Sequence, residues 1–139
     1  MNSKKVAFLF SGQGAQYVGM GKELYESIPE CKEIFDKGEK ILDMPIKDLI
    51  FNGPEEKLME TEVAQPAILL TSLAALKALE VNGIEAEYAT GLSLGEYAAL
   101  IYGGALSFED GLKLIKERGR IMGSALPKGL GKMAAIMRL

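Results

Sequence analysis

The sequence predicts an α/β fold built on a parallel sheet. Three observations carry that expectation. Val6 to Phe10 is an unbroken apolar run, the pattern of a strand buried on both faces. The stretch "EYATGL", residues 87–92, reads as a second strand. Segments of helical spacing alternate with these strands, as in a sheet joined by crossover helices. The 139 residues suit one ordinary domain with a sizeable core. No repeat, low-complexity tract or flexible linker interrupts it.

Taken in order, the first strand leads into the glycine-rich loop "SGQGAQ". A helix is expected over about Val18 to Ser27, stopping before Pro29. Pro29 suits a first helical position, and Ile34, Phe35, Ile41 and Leu42 follow at roughly helical spacing. Short helical pieces come next in "IKDLI" and "PEEKLME". Pro66 is expected to open a long helix through about Val81, closed by Asn82-Gly83. That helix is apolar nearly all round, so it should lie at the centre of the fold. Polar interruptions from Gln65 to Lys77 mark it as a core helix, not a membrane span. After the second strand, Leu94 to Tyr102 reads as a helix broken by Gly103-Gly104. Ser107 then caps a further helix to about Ser124, with Asp110 completing a capping-box variant. "PKGLG" is a loop, and "KMAAIMRL" reads as a strand. So few strands, the last without a partner after it, lead to the expectation of a fold that continues past residue 139.

Composition narrows the class. The chain is 48% apolar and 25% charged with a net charge of -3, which is ordinary for a soluble globular protein. Its cations are scattered, so nucleic acid is not an expected partner. The single cysteine, Cys31, excludes an internal disulfide and suits a reducing compartment. Cys31 sits in an amphipathic segment and is expected to pack, not react. With no targeting segment or membrane span visible, the expected location is the cytoplasm. No metal site or resident cofactor is expected.

The chemistry concentrates at Gly91-Leu92-Ser93-Leu94-Gly95, placed between a strand and a helix. This is the spacing of a nucleophile elbow. The flanking glycines allow a sharp turn that exposes the serine oxygen. The helix start aims free N–H groups and a positive dipole at the same spot, so the Leu94 N–H can help hold an oxyanion. The bland alternative is a helix packed closely on a strand through small residues. The loop "FLFSGQGAQYVGMG" fails as a dinucleotide fingerprint, because Tyr17 stands where the third glycine belongs, and no Gly-Lys-Ser/Thr makes it a P-loop. It is either a plain tight turn or a second source of oxyanion donors, with Gln13 between its glycines. Serine nucleophiles are usually activated by histidine, and the chain contains none.

Four motifs in order, "GQGAQ", "QPAIL", "GLSLGEYAAL" and "ERGRIM", resemble the malonyl-CoA:acyl carrier protein transacylases of fatty-acid synthesis. The acyltransferase domains of polyketide synthases are similar. The resemblance implies part of an α/β-hydrolase-like parallel-sheet subdomain over residues 1–128, with residues 129–139 starting a small ferredoxin-like subdomain. It implies a ping-pong transfer of malonyl from coenzyme A to acyl carrier protein, with the thioester as substrate and no cofactor. Position by position, Ser93 matches the acyl-bearing nucleophile. Gln13 and Leu94 match the two backbone donors of the oxyanion hole. Gln65 matches a glutamine lining the site, and Arg118 the arginine that clamps the malonyl carboxylate. That last role makes chemical sense, since arginine offers paired donors to a carboxylate. A solvated helix arginine is the usual alternative. Arg120 is the rival, but two residues along a helix it faces elsewhere. Gly119 suits a close approach to another element.

The chain departs from the family in two places. Where the family has Gly-His-Ser, Leu92 stands, one residue from the serine and facing away from it. The family's general-base histidine and roughly half its length are absent. Glu96 is the nearby carboxylate, read as a first-turn dipole partner and not a base. The expectation is therefore an incomplete fragment, weak or inactive alone, whose exposed sheet edge calls for missing chain or self-association. A serine hydrolase or thioesterase, and a non-catalytic fragment that binds coenzyme A or another protein, remain as alternatives.

Overall fold

The computed structural model describes residues 5–127 together with 130, 131 and 136. Two parallel strands, β1 (Ala7–Phe10) and β2 (Tyr88–Gly91), pair in register from Ala7 opposite Tyr88 to Phe10 opposite Gly91. Between them the chain runs through α1 (Lys22–Ser27), α2 (Pro29–Leu42), α3 (Ile46–Asn52), α4 (Glu55–Leu58) and α5 (Thr61–Val81). After β2 come α6 (Gly95–Tyr102) and α7 (Phe108–Ser124). The alternation and parallel pairing expected from the sequence are present. The expected terminal strand and the boundary at residue 128 lie outside the described residues.

Helix α5 is the axis of the fold. Every residue from Val63 to Leu70 is buried, packed between α2 on one side and α7 on the other. By length and composition α5 could cross a membrane, but here it fills the core. It starts five residues before the expected opening at Pro66, which lies inside it. A proline there removes one backbone hydrogen bond and costs about 3 kcal/mol. Burying eight consecutive side chains, at up to about 1.5–3 kcal/mol for each large apolar one, outweighs that.

The expected helix from Val18 also moves. Gly19 at φ 95° and Gly21 at φ 71° adopt left-handed backbone, so the helix starts at Lys22. Gly19 donates instead to the Ile50 carbonyl at 2.7 Å. A Cβ on Gly21 would stand 2.9 Å from Phe35 Cζ, so the turn is pressed directly onto the core. Elsewhere the caps hold as read. Pro29 opens α2, and Ser107 Oγ accepts the Asp110 N–H at 3.0 Å to open α7.

The sheet departs from expectation on one point. Among the described residues, strand β1 is covered on one face only. Phe8 turns inward and meets the Tyr102 ring edge-on at 5.0 Å, while Leu9 is 79% exposed and Tyr88 of β2 is 61% exposed. The apolar run was read as a strand buried on both sides. Among the described residues the helices cover one side. Cys31 is fully buried in α2 with its thiol on the Ala74 carbonyl, and burial raises its pKa, as a packing cysteine should behave.

Candidate active site

Strand β2 ends at Gly91 and α6 starts at Gly95, leaving three residues to reverse the chain. Ser93, the middle one, sits at φ 54°, a conformation non-glycine residues rarely hold. The flanking glycines are demanded by backbone contact. A Cβ on Gly91 would lie 2.0 Å from the Gly95 carbonyl carbon, and one on Gly95 would lie 2.4 Å from the Phe10 oxygen. Close packing and a serine-presenting turn are therefore the same feature. Ser93 is exposed at its tip.

The glycine loop is locked against this turn. A Cβ on Gly12 would be 2.8 Å from the Leu92 oxygen, and the Leu92 N–H donates to Phe10 at 3.1 Å. Gly14, at φ 105°, donates its N–H to Gln16 Oε1 at 2.8 Å, and Gln16 Nε2 reaches Met59 Sδ at 3.1 Å. Helix α6 has no side-chain cap at its start. Neither the Gln13 nor the Leu94 N–H donates to a backbone acceptor among the described residues. Two candidate oxyanion donors thus flank one turn.

Helix α7 delivers the arginine. Gly119 lets it approach α5 closely, since a Cβ there would stand 3.0 Å from the Thr61 oxygen. Arg118 lies next to it, half-buried, and its two terminal nitrogens are both engaged. Nη1 donates to Gln65 Oε1 at 2.7 Å, and Nη2 donates to Ser93 Oγ at 2.9 Å. Its guanidinium also sits 5.9 Å from the Tyr97 ring centroid, on the face of α6 that follows the serine. Gln65 is fully buried on α5, and its Nε2 reaches Gln13 Oε1 and Met122 Sδ, each at 3.4 Å. Gln13 Nε2 donates to Thr61 Oγ1 at 3.2 Å. A continuous polar chain thus runs from the glycine loop through Gln65 and Arg118 to Ser93. A buried amide is tolerated because these partners replace its water.

The acyl transferase domain family matches residues 7–138. The chain belongs to this family. It is 49% identical to the malonyl CoA-acyl carrier protein transacylase of Bacillus subtilis strain 168, covering 96% of this chain and 42% of that protein. Among solved structures, the malonyl CoA-acyl carrier protein transacylase from Clostridium perfringens is 50% identical with a TM-score of 0.86, over 91% of this chain and 40% of that one. The acyltransferase domain from the second module of the salinomycin polyketide synthase is 38% identical with a TM-score of 0.86, over 92% of this chain and 30% of that one. The chain thus spans less than half the length of these acyl transferase relatives.

All five sequence-derived residues of this acyl transferase chain, Gln13, Gln65, Ser93, Leu94 and Arg118, fall in one neighbourhood. Arg120 does not join them. It forms a two-point pair with Glu117, at 2.5 and 2.8 Å, on the exposed side of α7. Glu96 is exposed in the first turn of α6. Leu92 is 74% exposed, and a Cβ on Gly12 would stand 3.4 Å from its Cγ. Tyr97, Gln16 and Thr61 escaped the sequence reading. Gln16 carried a signal, since a glutamine ending a glycine loop can close that loop on itself. Thr61 and Tyr97 carried none, because their roles depend on where α7 lands.

Proposed function

We propose that this chain supplies the nucleophile half of a malonyl-CoA:acyl carrier protein transacylase. The observation that carries the reading is the 2.9 Å separation of Arg118 Nη2 and Ser93 Oγ. A malonyl thioester has a reacting carbonyl at one end and a carboxylate one methylene further on. A serine and a guanidinium this close suit those two ends of a short acyl group.

In the reaction, Ser93 Oγ attacks the thioester carbonyl. The Gln13 and Leu94 N–H groups take the oxyanion. The C–S bond breaks, a C–O ester bond forms, and the hydroxyl proton ends on the released coenzyme A thiol. The carrier's phosphopantetheine thiol then attacks the ester and takes the malonyl group, and the proton returns to Ser93. Arg118 holds the remote carboxylate in both half-reactions. No histidine exists in this chain to shuttle the proton. The base therefore belongs outside these 139 residues, and transfer by this chain alone is slow. The setting is fatty-acid synthesis in the cytoplasm. The second reading is an acyltransferase of the polyketide-synthase type, favoured by the likeness to the salinomycin domain.

The test is acylation of Ser93, followed by intact mass and peptide mapping with malonyl-CoA and acetyl-CoA as donors. Ser93→Ala should abolish labelling. Arg118→Ala should reduce malonyl labelling relative to acetyl by about tenfold to a hundredfold, the worth of one charge-assisted hydrogen bond. Equal losses with both donors would sink the clamp. Release of free malonate in place of a stable acyl-enzyme would favour a hydrolase.

A further inference from the structure

The two bonds of Arg118 are unequal. Nη1 is held by Gln65, whose side chain is fully buried and tied to Gln13 and Met122. Nη2 is held by Ser93, whose side chain is exposed. An anion arriving at the guanidinium can displace the exposed hydroxyl far more easily than the buried amide. Yet the hydroxyl is the group that must react. While Nη2 donates to Oγ, it engages one of the hydroxyl's two lone pairs and draws electron density from the atom that must attack the carbonyl.

We propose that Arg118 caps Ser93 and that the carboxylate of the incoming acyl group removes the cap. The carboxylate takes over Nη2, Gln65 keeps Nη1 in place, and Oγ is freed beside the carbonyl it attacks. This rests on Ser93 as nucleophile and Arg118 as carboxylate site, and it adds an order of events. Selection for acidic acyl groups then acts on the rate of acylation as well as on binding. An uncharged acyl group leaves the cap in place even when it reaches the serine. The opposite effect is also physical, since a cation beside Oγ stabilises its alkoxide. If that dominated, uncapping would slow the serine, so the sign of the effect decides between them.

The experiment supplies the acyl group and the carboxylate as separate molecules. The acyl donor is p-nitrophenyl acetate, which is uncharged. Its ester C–O bond breaks as the ester to Ser93 Oγ forms, nitrophenolate leaves, and the hydroxyl proton passes to buffer. Formate is the detached carboxylate, with chloride as the ionic-strength control. Peptide mapping confirms the label on Ser93. Saturating formate, but not chloride, should speed Ser93 acetylation about tenfold, the worth of one charge-assisted hydrogen bond. Arg118→Ala should acetylate at the faster rate without formate and ignore it. Arg118→Gln serves the same purpose if the alanine variant melts early. An unchanged or slower rate with formate overturns the cap. Malonyl-CoA labelling of the same preparations separates the two failures. If malonyl reaches Ser93 while formate does nothing, the cap alone is wrong. If both donors label the chain equally well after Ser93→Ala, the nucleophile assignment falls and the cap falls with it.

Discussion

The helical body and the sheet side of this molecule are built to different standards. Around α5, the side chains of Phe35, Leu42, Ile46, Ile50, Leu69, Leu70, Leu112 and Ile115 are all fully enclosed. Within that body Phe35 meets Tyr25 and Phe51 edge to face at 5.9 and 5.2 Å, and Tyr25 lies tilted against Phe51 at 5.2 Å. On the sheet side, Leu9, Tyr88 and Leu92 stand largely in the open. The site lies on the seam. Gln65 and Arg118 come from the enclosed body, and Ser93 and Gln13 from the exposed edge. The body can therefore hold its half of the site to a fixed geometry, while the other half is held mainly by backbone-to-backbone contact at Gly12, Gly91 and Gly95.

Opposite truncations give the sharpest test of that contrast. Phe35→Ala should destabilise the chain by about 3–5 kcal/mol, the cost of emptying a close-packed aromatic site. Leu9→Ser should change stability by no more than about 0.5 kcal/mol, as for an exposed position. Urea unfolding followed by far-ultraviolet circular dichroism measures both. Comparable losses would mean that the sheet face is covered in solution.

Gly95→Ala probes the seam itself. The new methyl must push against the Phe10 and Ser11 carbonyl oxygens at 2.4 and 2.7 Å, which are backbone and cannot swing aside. The expected cost is about 1–3 kcal/mol of overpacking strain. More telling is the site, because Ser93 and the glycine loop separate together. Ser93 labelling should fall well below wild type at temperatures where the variant is still folded. Normal labelling in a folded variant would show that the seam does not set the serine.

This division also explains what could be read from the sequence. Helix ends were legible where a side chain or ring closes them locally, as at Pro29 and Ser107. The five candidate residues were picked out by their motifs and their resemblance to a family, and the fold brings them together, with Gly119 as a contact point. The start of α5 was not legible, since Pro66 is a strong local signal for a helix opening, and tertiary burial starts the helix five residues earlier. The start of α1 was missed because Gly19 and Gly21 serve contacts to Ile50 and Phe35 that only the fold creates. The exposed face of β1 was missed for a similar reason. An apolar run records what a strand can bury and is silent on what covers it. Most hidden of all was the bond between Arg118 and Ser93, which joins residues brought together only by the packing of α7 on α5.

A small effect is expected within the body itself, at the pair of Lys47 and Asp36. Lys47 Nζ is 2.6 Å from Asp36 and 3.2 Å from Glu39, and Tyr25 donates to Asp36 at 3.3 Å. The hydrogen bond from Lys47 holds the Asp36 carboxyl below its ordinary 3.8, and the Asp36 and Glu39 carboxylates hold the Lys47 ammonium above its ordinary 10.5. A lowered acid contributes stability above its unfolded pKa and loses it as pH falls through the folded one. A raised base contributes below its unfolded pKa and loses it as pH rises through the folded one. The pair is thus fully effective between about pH 4 and 10. Asp36 is 37% exposed, so solvent screening limits the gain to about 0.5–1 kcal/mol. Asp36→Asn should lower stability by that amount at pH 7 and by progressively less below pH 4, so the two pH profiles converge on the acid side. Melting curves across pH 3 to 8 would measure it. Parallel profiles would mean that the enclosed body owes nothing to this charge pair, and that its advantage over the sheet side is apolar packing alone.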